Sequence, residues 1–461
     1  MASAERPRRS FSRLFGGLAG LTPSGMARVP ASWALYDFAN TIFSYAVVST
    51  AMGVWLTEPE PAGLGEGPGQ LVFSAAIVIS VGLNALVSPV LGAMSDRGGR
   101  RLPFLLFFTV LTIVPSAVIG FTPALVGAAL FALANFGYQA ALIYYDATLK
   151  TVSLPASRGR LSGIGVGVGY MGSIVIGLLL YLVDVPVGTI FLVAGVLFAI
   201  FAVPIFLIVR EERTPDATSF RLADIPATIG QLPETIRHAR SVPGLLRFLV
   251  ARFFYSDAVN TIIVVMSVIA VRAMGLTVSQ FLLVSIFLIV VAILASFGWG
   301  RLVDRYGPKR TLLWVLASWA VGLILGAIAI GIGPTLIGIA IFLVAGGIVG
   351  SGLGGVQVAD RVFMIRLSPA SRLGEFFGLY GLVGKGSQVV GQTLYGIIVF
   401  LLFDQLGIGA YQVAVLTLIV TMLIGYWLIG PVSDRWGDPL ASEEPPTFAP
   451  LERPVSAAPV P

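Results

Sequence analysis

The chain alternates between long apolar segments and short polar ones. Twelve of the apolar segments are long enough to cross about 30 Å of hydrocarbon. They lie near residues 31–57, 70–95, 102–121, 124–149, 160–183, 188–209, 246–272, 277–299, 311–332, 335–359, 373–403 and 410–430. The pattern predicts an all-α polytopic membrane protein with twelve transmembrane helices.

Composition supports a protein that is surrounded by lipid. Hydrophobic residues make up 56% of the chain and charged residues only 11%, whereas a soluble domain has roughly 25% charged residues. The chain has no cysteine and one histidine, His238, which excludes disulfides and multi-Cys/His metal sites. We expect no cofactor, no metal site and no enzymatic activity, since no nucleophile–base set or ATP-binding loop is visible.

The distribution of positive charge predicts the orientation in the membrane. With both termini in the cytoplasm, all but three of the 29 Lys and Arg residues lie on the cytoplasmic side, as the positive-inside rule requires. The exceptions are Arg252, Arg272 and Lys385, and we interpret the two arginines as interfacial. The sequence therefore predicts a multi-pass protein of the cytoplasmic (inner) membrane. Anionic headgroups account for its net charge of +6 without a nucleic-acid partner.

The two halves of the chain repeat one another. "GAMSDRGGRR" at 92–101 and "GRLVDRYGPKR" at 300–310 share the pattern G-x-x-x-D-R-x-G, and "DFANTI" at 37–42 matches "DAVNTI" at 257–262. The string "PASR" also occurs in both halves, in the same order. These repeats predict two six-helix bundles that arose by duplication. The predicted units are a cytoplasmic tail (1–30), an N-terminal bundle (31–210), a linker (211–245), a C-terminal bundle (246–431) and a disordered tail (432–461).

Two parallel six-helix repeats around a midplane cavity describe the major facilitator architecture. The repeated G-x-x-x-D-R-x-G strings resemble the signature loop of that superfamily, which implies a latch that holds the outward-facing state. The alternative is that the loops only set the topology through their positive charge. The gating residues implied are Gly92, Asp96, Arg97, Arg100, Arg101, Gly300, Asp304, Arg305, Lys309 and Arg310.

Three further charges are assigned to the gate. Asp146 and Asp360 stand at the predicted cytoplasmic ends of helices 4 and 10, and Arg361 follows directly. We expect each aspartate to accept from an arginine of a signature loop.

A closer resemblance is carried by "WALYDFANTIF", "GRLSGIGVGVGYMGS", "RFFYSDAVNTII" and "EFFGLYGLVGK". These strings are similar to those of the autophagy-related vacuolar amino-acid effluxers and their bacterial relatives, the "unknown major facilitator" branch. The resemblance implies a secondary transporter that exports amino acids.

Polar stripes on helices 1 and 7 are the candidate binding surfaces. Spacing of i, i+3, i+4 and i+7 places the polar residues of helix 1 on one face, and helix 7 repeats the pattern. The superfamily resemblance implies that helices 1, 4, 7 and 10 line the cavity, so we expect the stripes to face each other. Alternatively, they form a hydrogen-bond network inside each bundle. The candidates for substrate or proton binding are Asp37, Asn40, Thr41, Ser44, Asp257, Asn260 and Thr261, with Gln139, Tyr144 and Gln357 added by helix membership.

Lys385 is the lone cation deep in helix 11. Asp257 lies at a similar depth in helix 7, and we expect these two residues to form a buried ion pair, with Asp37 as the second choice of partner.

A run of glycines marks helix 5. Gly163, Gly165, Gly167, Gly169 and Gly172 resemble the glycine-rich fifth helix of antiporters, although the Gly-Pro pair of that motif is absent. We expect these residues to permit close helix packing.

These observations predict a secondary transporter for a small polar solute, with amino-acid efflux or exchange by alternating access and protons as the expected coupling ion. Its expected partners are a small-molecule substrate and membrane lipid, and we expect a monomer. The alternative is an exporter of amphipathic drugs or metabolites, with a cavity lined by Tyr36, Phe38, Phe43, Tyr144 and Phe254. A scaffold or receptor is a third possibility, but it would not need paired acids in both halves.

Overall fold

The computed structural model describes residues 18–59, 63–183, 185–211 and 232–434, and the regular structure of these residues is entirely helical. Twelve helices are long and apolar enough to cross a membrane. They are α1 (Arg28–Thr57), α2 (Glu66–Gly98), α3 (Leu102–Val118), α4 (Ala124–Val152), α5 (Arg158–Val183), α6 (Val187–Ile208), α7 (Leu245–Val268), α8 (Val278–Tyr306), α9 (Pro308–Ile332), α10 (Leu336–Leu367), α11 (Leu373–Leu406) and α12 (Gly409–Ile429). Most of the predicted tails and the first part of the predicted linker (1–17, 212–231 and 435–461) lie outside the described residues.

The helices pack as two pseudo-symmetric six-helix bundles, as the sequence repeats predict. In the first bundle the main helix pairs are α1–α5, α1–α6, α2–α4, α3–α4 and α3–α6. Each pair has its counterpart six helices later, from α7–α11 to α9–α12. Between the bundles, α2 packs against α11 and α5 packs against α8. The repeat therefore holds in space as well as in sequence.

The first helix of each bundle includes a π-helical segment. In α1 the segment is Ser44–Ala51, and in the second bundle Ile269–Ala273 continues α7. The hydroxyls of Ser49 and Thr50 donate to carbonyls five residues back, at 3.0 and 2.8 Å, which matches the wider turn. Such segments occur often at functional sites. Here they lie towards the end of the molecule remote from the chain termini.

Glycines allow the bundles to approach closely. Gly163 and Gly167 of α5 lie against Ser296 of α8, across the bundle interface. Gly165, Gly169 and Gly172 point the other way, towards α1. The prediction that these glycines serve close helix packing is confirmed. At the second interface, Gly92 of α2 meets Gly374 of α11 so tightly that a Cβ on either residue would overlap the opposite backbone.

The aspartates of the repeated motifs cap helices of the opposite bundle. Asp96 accepts from the backbone amides of Gly374 and Glu375 at 2.9 and 2.8 Å, where α11 begins. Asp304 accepts from the amides of Gly159 and Arg160 at 2.7 and 3.0 Å, where α5 begins. A carboxylate at a helix N-terminus satisfies free N–H groups and the helix dipole. Each aspartate therefore ties one bundle to the first turn of a helix in the other.

These caps lie at what we name the termini end, where α1 begins and α12 ends. Part of the linker also forms structure there. The linker helix, Leu232–Ser241, brings His238 to 3.6 Å from Glu375 at the start of α11. On the other side, the carbonyl of Leu21 accepts from Leu154 between α4 and α5 at 3.0 Å. Segments outside the bundles thus contact the ends of the helices that meet at the interface.

Removing one cap is expected to loosen the termini end. The chain lacks cysteine, so a single cysteine at Ser88, which is buried against Gly378 in the α2–α11 interface, can report opening. We expect Asp96→Ala to raise the rate of maleimide labelling at this cysteine about fivefold, because a lost helix cap costs about 1 kcal/mol. Glu58→Ala, in the loop after α1, is the control and should leave the rate unchanged. Equal rates in both variants would contradict a closing role for the cap.

Candidate substrate site between the two bundles

Six charged side chains lie together inside the helices, and we name them the central charge cluster. They are Asp37 of α1, Asp146 of α4, Arg252 of α7, Asp360 and Arg361 of α10, and Lys385 of α11. At about 1.5 Å of axial rise per residue, they lie about 9 to 18 Å from the termini end. Three acids balance three bases, as a medium of low dielectric demands. Both bundles contribute to this balance.

Arg361 is the residue that joins the bundles at this level. Its Nε lies 3.1 Å from Oδ1 of Asp146, across the interface, and the two side chains are 9% and 16% exposed. Its guanidinium also lies 5.5 Å from the ring centre of Trp33 and 5.7 Å from that of Tyr145. These two rings stack at 4.6 Å. Asp37 is the second carboxylate whose charge acts on Arg361. An arginine held between aromatic faces and carboxylates is well oriented to bind an anion.

A second ion pair lies within the C-terminal bundle. Arg252 contacts Asp360 and stacks on Tyr380, with Cζ 3.4 Å from the ring centre. Asp360 also accepts hydrogen bonds from Tyr380 and, at 3.0 Å, from Tyr255. The interpretation of Arg252 as an interfacial residue is therefore wrong. Arg252 and Asp360 form an ion pair that Tyr255 and Tyr380 complete with hydrogen bonds, and this network supports α10 next to Arg361.

The expected pairing of Asp146 and Asp360 with the signature loops is also wrong. The helix α10 continues to Leu367, eight residues beyond its predicted end, so Asp360 lies about two turns inside the helix. Several basic residues of the loops have other partners. Arg101 pairs with Asp96 at 3.4 Å and with Glu211 at 3.6 Å. Arg305 lies over the ring of Tyr306, and Lys309 donates to the Gly430 carbonyl at 2.7 Å. Arg100 and Arg310 are exposed.

Lys385 does not pair with Asp257 as predicted. Its ammonium donates to the side-chain oxygen of Asn84 and, at 3.4 Å, to the carbonyl of Gln139, both in the opposite bundle. Asp146 is the carboxylate whose charge acts on it. Two residues at the same depth in the membrane can still have side chains that point in different directions around their helix axes. Gly391, which contacts Asp257, follows Lys385 by six residues and so points about 120° away from it.

The two polar stripes have different surroundings, so the expectation that they face each other is not met. Asp37 contacts Gly169 of α5 and belongs to the cluster. Asp257 instead faces α11 and α12 of its own bundle, next to Gly391 and Thr421. On α1, the hydroxyls of Thr41 and Ser44 donate to carbonyls of their own helix at 2.9 and 3.2 Å, and Asn40 is buried. On α7, Asn260 donates to the Gly384 carbonyl of α11 at 3.4 Å. The alternative of a network within the bundle therefore describes α7 better than α1.

The three candidates that were added by helix membership also differ in their surroundings. Gln357 is exposed and donates to the hydroxyl of Tyr170 in the opposite bundle at 2.9 Å, so it lies beside the cluster. Gln139 takes part through its carbonyl. Tyr144 is fully buried, donates to the Leu91 carbonyl at 2.7 Å and stacks on Phe104 and Phe108, so it is a packing residue rather than a cavity residue.

The sequence did not identify several residues of the site, because aromatic residues and single amides in membrane spans are ordinary core residues. These residues are Asn84, Trp33, Tyr145, Tyr170, Tyr255 and Tyr380. Among the site residues that the sequence did not identify, Arg252 could have been found from its charge. A charge seven residues inside a span is a functional candidate by default, and an aspartate at the matching depth of α10 was available to pair with it.

Comparison with known proteins gives a consistent result. The model of the family described as "Vacuole effluxer Atg22 like" matches residues 149–436. The MFS-type transporter YxiO of Bacillus subtilis (strain 168) is 26% identical over 430 residues, which are 90% of this chain and 96% of YxiO. Autophagy-related protein 22 of Coccidioides immitis (strain RS) is 25% identical over 278 residues, 55% of this chain and 46% of that protein. The chain thus matches about half the length of the fungal relative.

Solved structures share the fold. A bacterial homologue of the iron transporter ferroportin, in an outward-facing state, superposes with a TM-score of 0.67 at 15% identity, over 87% of this chain and 97% of that one. The proton:xylose symporter XylE gives a TM-score of 0.66 at 12% identity, over 92% and 97%. Twelve spans in two repeated bundles, with charged residues between them, define a secondary transporter of the major facilitator superfamily. Within that superfamily, the chain belongs to the Atg22-like vacuole effluxer family.

The Arg361–Asp146 pair is expected to couple the stabilities of the two bundles. Arg361→Met leaves Asp146 and Asp37 without their cation, and removing one partner of a buried pair costs about 3–5 kcal/mol. We expect the double variant Arg361→Met/Asp146→Asn to be less destabilised than the sum of the single variants, by at least about 1 kcal/mol. Thermal unfolding of the purified protein in detergent measures the cycle.

The matched control is the Arg160–Asp304 pair, whose arginine side chain is 48% exposed. Arg160→Met should cost at most about 1 kcal/mol, because exposed ion pairs contribute little. Additive effects in the Arg361–Asp146 cycle would show that the two charges do not depend on each other.

Proposed function

We propose that the protein exports or exchanges a small amino acid by alternating access, and that the central charge cluster binds it. The observation that carries the proposal is an unsatisfied hydrogen-bond donor on Arg361. Within the described part of the chain, its buried Nη1 has no hydrogen-bond partner, although the rest of the guanidinium is held by Asp146, Trp33 and Tyr145. A buried, oriented N–H donor of this kind favours a carboxylate ligand.

The acids around Arg361 favour a zwitterion over a simple anion. Asp37 and Asp146 both act on Arg361, and either carboxylate can accept from an ammonium group of the ligand. Because the cluster is already balanced, a zwitterion adds no net charge to it, whereas a simple anion or cation would leave one charge uncompensated in a medium of low dielectric. An α-amino acid carries the two required groups on one carbon atom. Amino-acid efflux is also what the sequence resemblance implies.

The predicted topology makes the termini end cytoplasmic, in the inner membrane. The contacts of Asp96, Asp304, Arg361 and Lys385 across the interface lie in that half of the molecule. The conformation is then outward-facing, and the two aspartate caps are the latch that keeps the cytoplasmic side closed.

The alternative of an exporter for amphipathic drugs is not favoured. It requires an aromatic cavity, yet Tyr36, Phe43 and Tyr144 are buried within the N-terminal bundle. Tyr36 stacks on Tyr145 at 5.0 Å, and Phe43 packs against Tyr138 at 5.1 Å. Phe38 is also buried, against Phe201. These rings stabilise helix packing and offer little surface to a ligand.

Counterflow in proteoliposomes tests the proposal. Vesicles loaded with an unlabelled amino-acid mixture should take up the same amino acids in labelled form, and Arg361→Lys should reduce this uptake about 10- to 100-fold. The reason is that lysine lacks the planar fork, and a charge-assisted hydrogen bond is worth about 1.5–3 kcal/mol.

The matched control is Arg272→Lys, an exposed arginine near the opposite end of α7, which should transport normally. Wild-type vesicles that exchange none of the amino acids would refute the proposed substrate class. Normal exchange by Arg361→Lys would refute the role of Arg361.

A further inference from the structure

We propose that Asp257 and Thr261 form a proton-binding site, separate from the substrate site, at the contact of α7 with α11 and α12. The proposal rests on the proposed transport function in one respect, since the proton is taken to drive the solute. The site itself follows from the geometry of two buried oxygen atoms.

The two oxygens are close together and unsatisfied. Asp257 is 4% exposed and Thr261 is fully buried. In the part of the chain that the structure describes, neither Oδ1 of Asp257 nor Oγ1 of Thr261 has a hydrogen-bond partner. Both atoms lie against the same glycine, Gly391 of α11, whose missing side chain leaves the space that they occupy. A buried polar atom without a partner costs about 1–3 kcal/mol, and more when it is charged.

One proton satisfies both atoms. When it binds to Oδ1, the carboxylate becomes a neutral carboxylic acid, and a small side-chain rotation lets the new O–H donate to Oγ1 of Thr261. The hydroxyl of Thr421 on α12 also lies near the carboxyl group, and it donates to the Leu418 carbonyl of its own helix at 3.1 Å. A metal cation fits less well, because Na⁺ and larger ions need several oxygen ligands and the carbonyls of continuous helices are already bonded.

Among the residues that the structure describes, no charged group stabilises an ionised Asp257. The groups that face it are Thr261 on its own helix, Gly391 on α11 and Thr421 on α12, and none of them ionises. Among the described residues, Arg252 pairs with Asp360, and Lys385 points into the opposite bundle. This contrasts with Asp37, which shares Arg361 with Asp146. A carboxylate inside a bundle with no cation near it is expected to be neutral.

Release of this proton would act directly on the bundle interface. Ionised Asp257 lies against the backbone of α11, and α11 is the helix that packs on α2 and receives the Asp96 cap at its start. Its negative charge favours a position of α11 in which water reaches the carboxylate. The protonation state is thereby linked to the movement of α11, which alternating access requires.

Two measurements on the full-length protein test the site. The first is infrared spectroscopy of the purified protein at neutral pH, which needs no substrate. Asp257→Asn should remove a carboxylic-acid C=O band that is present in the wild type, and Thr261→Val should shift that band to higher frequency because the acid loses its acceptor. A wild-type spectrum that is unchanged by Asp257→Asn would overturn the proposal.

The second measurement is the ratio of proton-driven uptake to counterflow in proteoliposomes, which cancels differences in folding and in substrate binding. We expect Asp257→Asn to lower this ratio about tenfold and Thr261→Ser to retain it. The control is Thr417→Val, a threonine of α12 that donates to its own helix at 2.7 Å, and it should behave as the wild type. A ratio that Asp257→Asn leaves unchanged would overturn the proposal. If no amino acid is transported at all, the infrared result still decides the site.

Discussion

The structure depends on one constraint, which is that charges inside a membrane protein must be balanced by the protein itself. Asp146 has its cation on the opposite bundle, and Arg361 has two of its anions there. Neither bundle is balanced alone at this level, because the first contributes two acids and the second contributes three bases and one acid. The electrostatic balance is complete only when the bundles are together. A ligand that supplies both charges can replace that contact, which is the physical basis for coupling binding to bundle movement.

The helix contacts on either side of the cluster fix where this balance is made. Gly163 and Gly92 allow α5 to meet α8 and α2 to meet α11 at backbone distance. Asp304 and Asp96 then reach the first amides of α5 and α11. Substituting any of these glycines would separate the helices, and the caps would lose their partners at the same time. Close packing and capping therefore depend on each other at both contacts between the bundles.

The sequence predicted the elements better than the partners. The twelve spans, the repeat and the glycine packing follow from hydropathy and spacing, and the structure agrees. The partners of Lys385, Asp146 and Asp360 were predicted wrongly, for a common reason. Hydropathy gives the depth of a residue to within a turn or two, whereas pairing depends on the direction of the side chain and on the true end of the helix. Because α10 extends eight residues beyond its predicted end, Asp360 lies inside the helix and not at the gate where it was predicted.

The repeated motif D-x-x-N-T-I shows how duplication produced two different sites. In α1 the charge of Arg361 acts on the aspartate, which shares that arginine with Asp146 and belongs to the proposed substrate site. In α7 the equivalent aspartate lies against Thr261 and Gly391, and no charged group acts on it among the described residues, which is the basis for the proposed proton site. The two proposals give the same residue in the same register different chemistry, because among the described residues an arginine charge acts on Asp37 and none acts on Asp257. The proposed exchange of a zwitterion for a proton would use both aspartates, one to hold the ligand and one to hold the proton.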